Sequence, residues 1–341
     1  MLLTPSSPLP DPLRLQDGTP VLNAGQWPRR RQEIADLMLP LAYGAFPPVP
    51  RSTRCVGLHT ALVRRYGDAR LVSCRIEPGG APAFMLRLLV PQGAGPFPVL
   101  ANGDGCWSHA SDAVISSILG RGFVFAQFNR VEVAPDSGGP DHGLRLAQAQ
   151  SGSCALAAWA WAYHRVVDAL CGIDWIDRTR IAVVGHSRGG KAALLAGATD
   201  ERIALTSANN SGAGGAGCFR WLGPGAETLA DVVTGFPHWF GPQLARYAGR
   251  EAELPFDQHF LKALVAPRAL LTTEALADHW ANPQGSWQTH QAARAVFELL
   301  GAAEKLAIVF RDGGHEHNLA DWNCLLDFAE RVFGRRSTGC P

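Results

Sequence analysis

The chain carries almost no net charge. Thirty-one Lys and Arg face 30 Asp and Glu over 341 residues, leaving +1. That balance argues against nucleic acid or an anionic membrane as the main partner. The short basic run Arg29-Arg30-Arg31 reads as a solvated helix start. No apolar run approaches the length of a membrane span. The first twelve residues contain no basic segment and no long apolar stretch, and prolines at 5, 8, 10 and 12 interrupt them. No signal peptide is therefore legible. As written the chain reads as cytoplasmic, or as secreted or periplasmic if a signal has been removed.

The eight cysteines (55, 74, 106, 154, 171, 218, 324 and 340) form no C-x-x-C pair. That excludes the common zinc spacings, and neither a metal nor a cofactor is expected. A chain this long needs no disulfide scaffold, so most of these cysteines are expected to be buried as small hydrophobes. Charged residues make up only 18% and hydrophobic residues 47%, enough for a sizeable core and too apolar for disorder.

What is present is an ordered alternation of elements. Residues 1–25 are Pro-rich and read as a tail or strap, followed by one catalytic domain over 26–341. A helix is expected from Gln26 to Tyr43. Strands follow at 71–76, 83–90 and 98–100, the middle ones antiparallel. Beyond Gly105 the pattern turns to βα alternation. Helices are expected at 111–119, 152–170, 289–300 and 322–333, and strands at 123–128, 180–184, 205–208, 268–273 and 306–311. This is an α/β pattern, a mostly parallel central sheet with helices on both faces. The stretch from Gly214 to Leu254 reads as a loop-rich insertion over the active site.

The most informative segment runs from Ile181 to Ala192, where an apolar strand stops at Gly185-His186-Ser187-Arg188-Gly189 and an Ala/Leu-rich helix begins. A sharp strand-to-helix turn with serine at its apex strains the serine backbone and needs side-chain-free neighbours. It presents Oγ as a nucleophile. In this architecture the partners follow in the order acid, then histidine. The base falls after the last strand: His315, with His317 as the alternate. The acid falls in the loop after 268–273: Asp278 in preference to Glu274. The backbone N–H of Arg188 is one expected oxyanion donor, and its guanidinium adds charge if it folds inward. The second donor is expected from the loop Asn102-Gly103-Asp104-Gly105.

Several further segments carry a family resemblance. They are 185–191, Asn209-Asn210-Ser211 with the glycines after it, Phe236-Pro237-His238-Trp239-Phe240, 254–259, 263–268 and 278–283. Together they resemble the bacterial glucuronoyl esterases over about 26–333. The resemblance implies an α/β-hydrolase fold, a three-layer sandwich. It implies a metal-free serine esterase that cleaves the ester between 4-O-methyl-glucuronic acid of xylan and lignin alcohols. Separately, a monomer is expected. The resemblance makes Ser187 the nucleophile and Arg188 the oxyanion-stabilising arginine. Lys191 and Glu227 become contacts to sugar hydroxyls, and Trp280 an aromatic closing over the uronate. Two positions depart from the pattern. Many members have a catalytic Glu where this chain has Asn210, which throws the acid role onto the 274–278 loop. Fungal members place a disulfide cysteine where this chain has His186. Two other readings stay open: an acetyl-xylan or small-acyl esterase of the same fold, and a non-catalytic carbohydrate-binding relative.

Overall fold

The structure is a computed structural model and describes residues 8–107, 110–137 and 153–334. The first seven residues of the expected strap, Gly152 and Cys340 lie outside them.

Nine strands form one sheet: β1 (Thr53–Val63), β2 (Ala69–Pro78), β3 (Phe84–Val90), β4 (Phe97–Asn102), β5 (Val124–Phe128), β6 (Ile176–His186), β7 (Leu205–Asn209), β8 (Ala269–Ala275) and β9 (Leu306–Arg311). Their order is β1-β2-β3-β5-β4-β6-β7-β8-β9. The β1–β2, β2–β3 and β3–β5 pairings are antiparallel, and every pairing from β5 to β9 is parallel. The described helices are α1 (Trp27–Tyr43), α2 (Asp112–Gly120), α3 (Ala155–Cys171), α4 (Arg188–Thr199), α5 (Leu229–Gly235), α6 (Gln258–Val265), α7 (Pro283–Leu299) and α8 (Leu319–Phe333).

The 99–101 segment of β4 and the 181–184 segment of β6 are apolar because both faces are covered, and successive side chains go to opposite cores. Val99 and Ala101 of β4, with Ile181 and Val183 of β6, belong to the core shared with α1, α3, α4, α6 and α7. Leu100, Ala182 and Val184 belong to the core shared with α2 and α8. The result is the helix–sheet–helix layering expected from the sequence.

Besides α5, which falls inside the expected loop-rich insertion, two elements were not foreseen. β1 is an edge strand, largely exposed, with no clean alternation to betray it. α6 is buried on every side, its polar residues Gln258, His259 and Lys262 included, and at eight residues it is too short to stand out in the sequence. The strap does reach the body: Arg30 Nε donates to the Pro12 carbonyl at 3.2 Å, and His259 Nε2 meets the Pro10 carbonyl at 2.7 Å.

The cysteine expectation needs correcting. Cys55 and Cys74 form a disulfide that joins β1 to β2. Of the described free cysteines, Cys154 and Cys218 are buried, while Cys106, Cys171 and Cys324 are only partly so.

Candidate active site

The site sits at the C-terminal ends of the parallel strands, where an α/β sheet opens its crevice. Ser187 lies between β6 and α4 with φ +54° and ψ −124°. A non-glycine residue there is strained and must be held by its surroundings. The flanking glycines show how. A Cβ on Gly185 would collide with the Gly189 carbonyl, and a Cβ on Gly189 would collide with the Asp104 carboxylate. That carboxylate accepts from the His186 amide at 2.8 Å and pairs with the fully buried Arg130. Arg130 in turn lies over the Trp107 ring, 4.1 Å from its centroid.

This explains a correction at the oxyanion site. The 102–105 loop does not offer the second donor. Its amides are already engaged: Gly103 N donates to Tyr163 Oη at 2.8 Å, Asp104 N to Asn102 Oδ1 at 3.1 Å, and Gly105 N to the Phe128 carbonyl at 3.1 Å. The loop instead braces the serine turn from below. The Arg188 amide opens α4 and has no partner within the helix, as for any first-turn amide.

Ser187 Oγ lies 2.9 Å from His315 Nε2, and His315 Nδ1 lies 2.5 Å from Asp278 Oδ2. The two supporting loops are tied together. Leu276 N donates to the Arg311 carbonyl at 2.8 Å and Ala277 N to the Gly313 carbonyl at 3.1 Å. Arg311 Nη2 holds the Glu316 carbonyl at 2.5 Å, and its Nε holds Asp321 at 2.8 Å. Each loop then runs into a capped helix. Asn282 caps α7 ahead of Pro283, and Asn318 forms a capping box with Asp321 at the start of α8.

The alternates fall elsewhere. His317 is buried between His186 and Trp322, with ring centroids at 5.7 and 4.6 Å. Glu274 is fully buried at the end of β8, and burial pushes its carboxyl up to about 8. Burial pushes the neighbouring Lys262 ammonium down, with Glu274 opposing the shift. Asn210 has no anionic role. Its Oδ1 accepts from Ala275 N at 2.7 Å and its Nδ2 donates to the Glu316 carbonyl at 3.1 Å, bracing the acid and histidine loops against each other.

The adjoining cavity, about 130 Å³, is lined by Ser187, Arg188, Lys191, Glu227, Trp280 and His315, with Phe236 and Trp239 from the insertion. The insertion therefore does reach over the site, although it also carries α5. Trp280 is half exposed at the cavity mouth. Lys191 is buried, and Nζ donates to the carbonyls of Ser211 at 2.8 Å and Ala213 at 2.5 Å and to Glu227 Oε2 at 3.3 Å. An ammonium has three donors, so direct contact with a sugar hydroxyl requires exchange of one of these bonds. The Arg188 guanidinium does fold inward. It lies 4.8 Å from the Trp239 centroid and 5.2 Å from that of Phe236, and Nη1 donates to Asp136 Oδ2 at 2.7 Å. Asp136, missed in the sequence, also accepts from Trp239 Nε1 at 2.8 Å and meets His238 Nε2 at 3.0 Å.

The family model described as glucuronyl esterase of fungi matches residues 76–301. The chain belongs to the glucuronyl esterase family. A 4-O-methyl-glucuronoyl methylesterase of Podospora anserina is 32% identical over 97% of this chain and 69% of its own length. A glucuronoyl esterase from Solibacter usitatus superposes with TM-score 0.86 at 28% identity, covering 97% of this chain and 99% of that one. A serine-to-alanine mutant of the glucuronoyl esterase from Sporotrichum thermophile, solved with methyl 4-O-methyl-β-D-glucopyranuronate, gives TM-score 0.78 at 25% identity, covering 99% of this chain and 90% of that one. This glucuronyl esterase family member is a carboxylic ester hydrolase with an α/β fold.

Proposed function

We propose that the protein hydrolyses esters of (4-O-methyl-)glucuronic acid, the acid borne on xylan and the alcohol derived from lignin, through a Ser187–His315–Asp278 triad. The observation that carries the reading is the unbroken hydrogen-bond chain from Ser187 Oγ through His315 to Asp278, set on a strained serine turn.

His315 Nε2 takes the Ser187 proton as Oγ attacks the uronate carbonyl carbon. Asp278 holds the imidazole tautomer and stabilises the imidazolium. Negative charge gathering on the carbonyl oxygen is met by the Arg188 amide and guanidinium and by the positive end of α4. The tetrahedral species collapses as the C–O bond to the alcohol breaks, and His315 returns its proton to the leaving oxygen. Water then attacks the glucuronoyl-serine by the same route and releases the acid. Glu227, held by Lys191, accepts from sugar hydroxyls, and Trp280 covers the ring.

The test compares hydrolysis of benzyl glucuronate with that of an aryl acetate. Higher kcat/KM on the glucuronate is expected. Faster turnover of the acetate would favour a small-acyl esterase. No turnover of either, with uronate still bound, would favour a non-catalytic binding protein.

A further inference from the structure

Both cations in the cavity wall are cancelled by carboxylates of the same chain. Lys191 is paired with buried Glu227 at 3.3 Å. Arg188 is paired at 2.7 Å with Asp136, which does not line the cavity but stands behind the guanidinium. Asp136 is firmly ionised. Burial alone would raise its carboxyl, but hydrogen bonds from His238, Trp239 and Arg188 outweigh that and hold it well below the usual carboxylate range. The third carboxylate at the site, Asp278, is committed to His315.

The chemistry of the reaction gives this balance a consequence. The ester is neutral at its reacting end, whereas the acid released is an anion at neutral pH. Two unopposed cations beside Ser187 would hold the product carboxylate more strongly than the ester. They would occupy the site with product and gain nothing for the chemical step. A paired arginine still meets charge that develops on the carbonyl oxygen, because that oxygen lies close to it. It adds little attraction for an anion as a whole, since Asp136 repels the same anion.

We infer that Asp136 is a specificity-determining residue: by cancelling Arg188 it lets the cavity bind the neutral uronate ester and release the uronate anion. The inference rests on the glucuronate-ester reading above. Glu227 does the same for Lys191. Asp136 is a positioning residue and touches no reacting atom.

The test measures binding of glucuronate and of glucuronamide, its neutral isostere, by calorimetry. The proteins are Ser187→Ala and the double variant Ser187→Ala/Asp136→Asn. With Asp136 intact, the two ligands should bind within a few-fold of each other. Asp136→Asn should shift the ratio toward the acid by roughly tenfold, the size expected when one partly screened charge is unmasked at a few ångströms. Asp136→Glu should restore the original ratio, which a merely structural role would not require. Should Asp136→Asn fail to fold, Glu227→Gln unmasks Lys191 and should move the ratio in the same direction. An unchanged ratio in a folded variant overturns this inference and leaves the esterase reading standing. Failure of Ser187→Ala to bind either ligand overturns both.

Discussion

Asp278, four residues beyond the buried Glu274 and past the end of β8 at Ala275, is the carboxylate that reaches His315. Its Oδ2 lies 2.5 Å from Nδ1. Glu274 stays fully buried inside β8, with its carboxyl pushed up to about 8 by burial. One carboxylate is thus aimed at the imidazole, and the other is kept in the core.

Replacing Asp278 by Asn should leave the fold intact and lower kcat by about 10⁴-fold, as loss of the correct histidine tautomer does in other triads. Glu274→Gln should keep most of the activity and show its effect in thermal stability. Steady-state kinetics on benzyl glucuronate check both. A larger loss of kcat from Glu274→Gln than from Asp278→Asn would reverse the assignment.

Gly189→Ala should damage the protein before it damages catalysis. The new Cβ would strike the buried Asp104 carboxylate, which is fixed by the His186 amide and Arg130. Overpacking of this kind costs about 1–3 kcal/mol, and more where the neighbour cannot move. Urea unfolding should show a midpoint well below that of the parent. An unchanged midpoint would mean that Asp104 yields.

Acid should weaken the fold before the carboxylates titrate. His259 is buried and His164 is partly so, and desolvation pushes each down to about 4 from 6.5. Between those values the unfolded chain binds more protons than the folded one. Stability is therefore complete above pH 6.5 and is lost as pH falls toward 4. Each histidine contributes a slope of about 1.4 kcal/mol per pH unit within that window, so unfolding free energies at about pH 7 and about pH 5 should differ by roughly 2 kcal/mol per histidine. Equal stability at the two pH values would show that these imidazoles are not held neutral.

Much of this site was legible because its signals are local. The serine turn has an apolar strand before it, glycines within it and an Ala-rich helix after it. His315 and Asp278 follow strands whose ends the sequence marks. The ambiguities came from what lies across the sheet. His315 and His317 are indistinguishable until Trp322 and His186 are seen to sandwich His317. The 102–105 loop looked like an oxyanion donor because its glycines permit close approach. Its amides are taken by Tyr163 and Phe128, from α3 and β5, which no local pattern reveals. Asp136 has no motif around it, and only the folding of the 236–240 segment beside Arg188 gives it a role. β1 and the Cys55–Cys74 bond were missed together, since an exposed edge strand has no apolar alternation and the bond depends on its pairing with β2.

The most direct measurement is the rate of benzyl glucuronate hydrolysis by Ser187→Ala beside the parent enzyme, at equal folded concentration. The expected result is loss of kcat by about 10³-fold or more, with the uronate still bound. Hydrolysis at the parent rate would contradict Ser187 as the nucleophile, and with it the whole catalytic assignment.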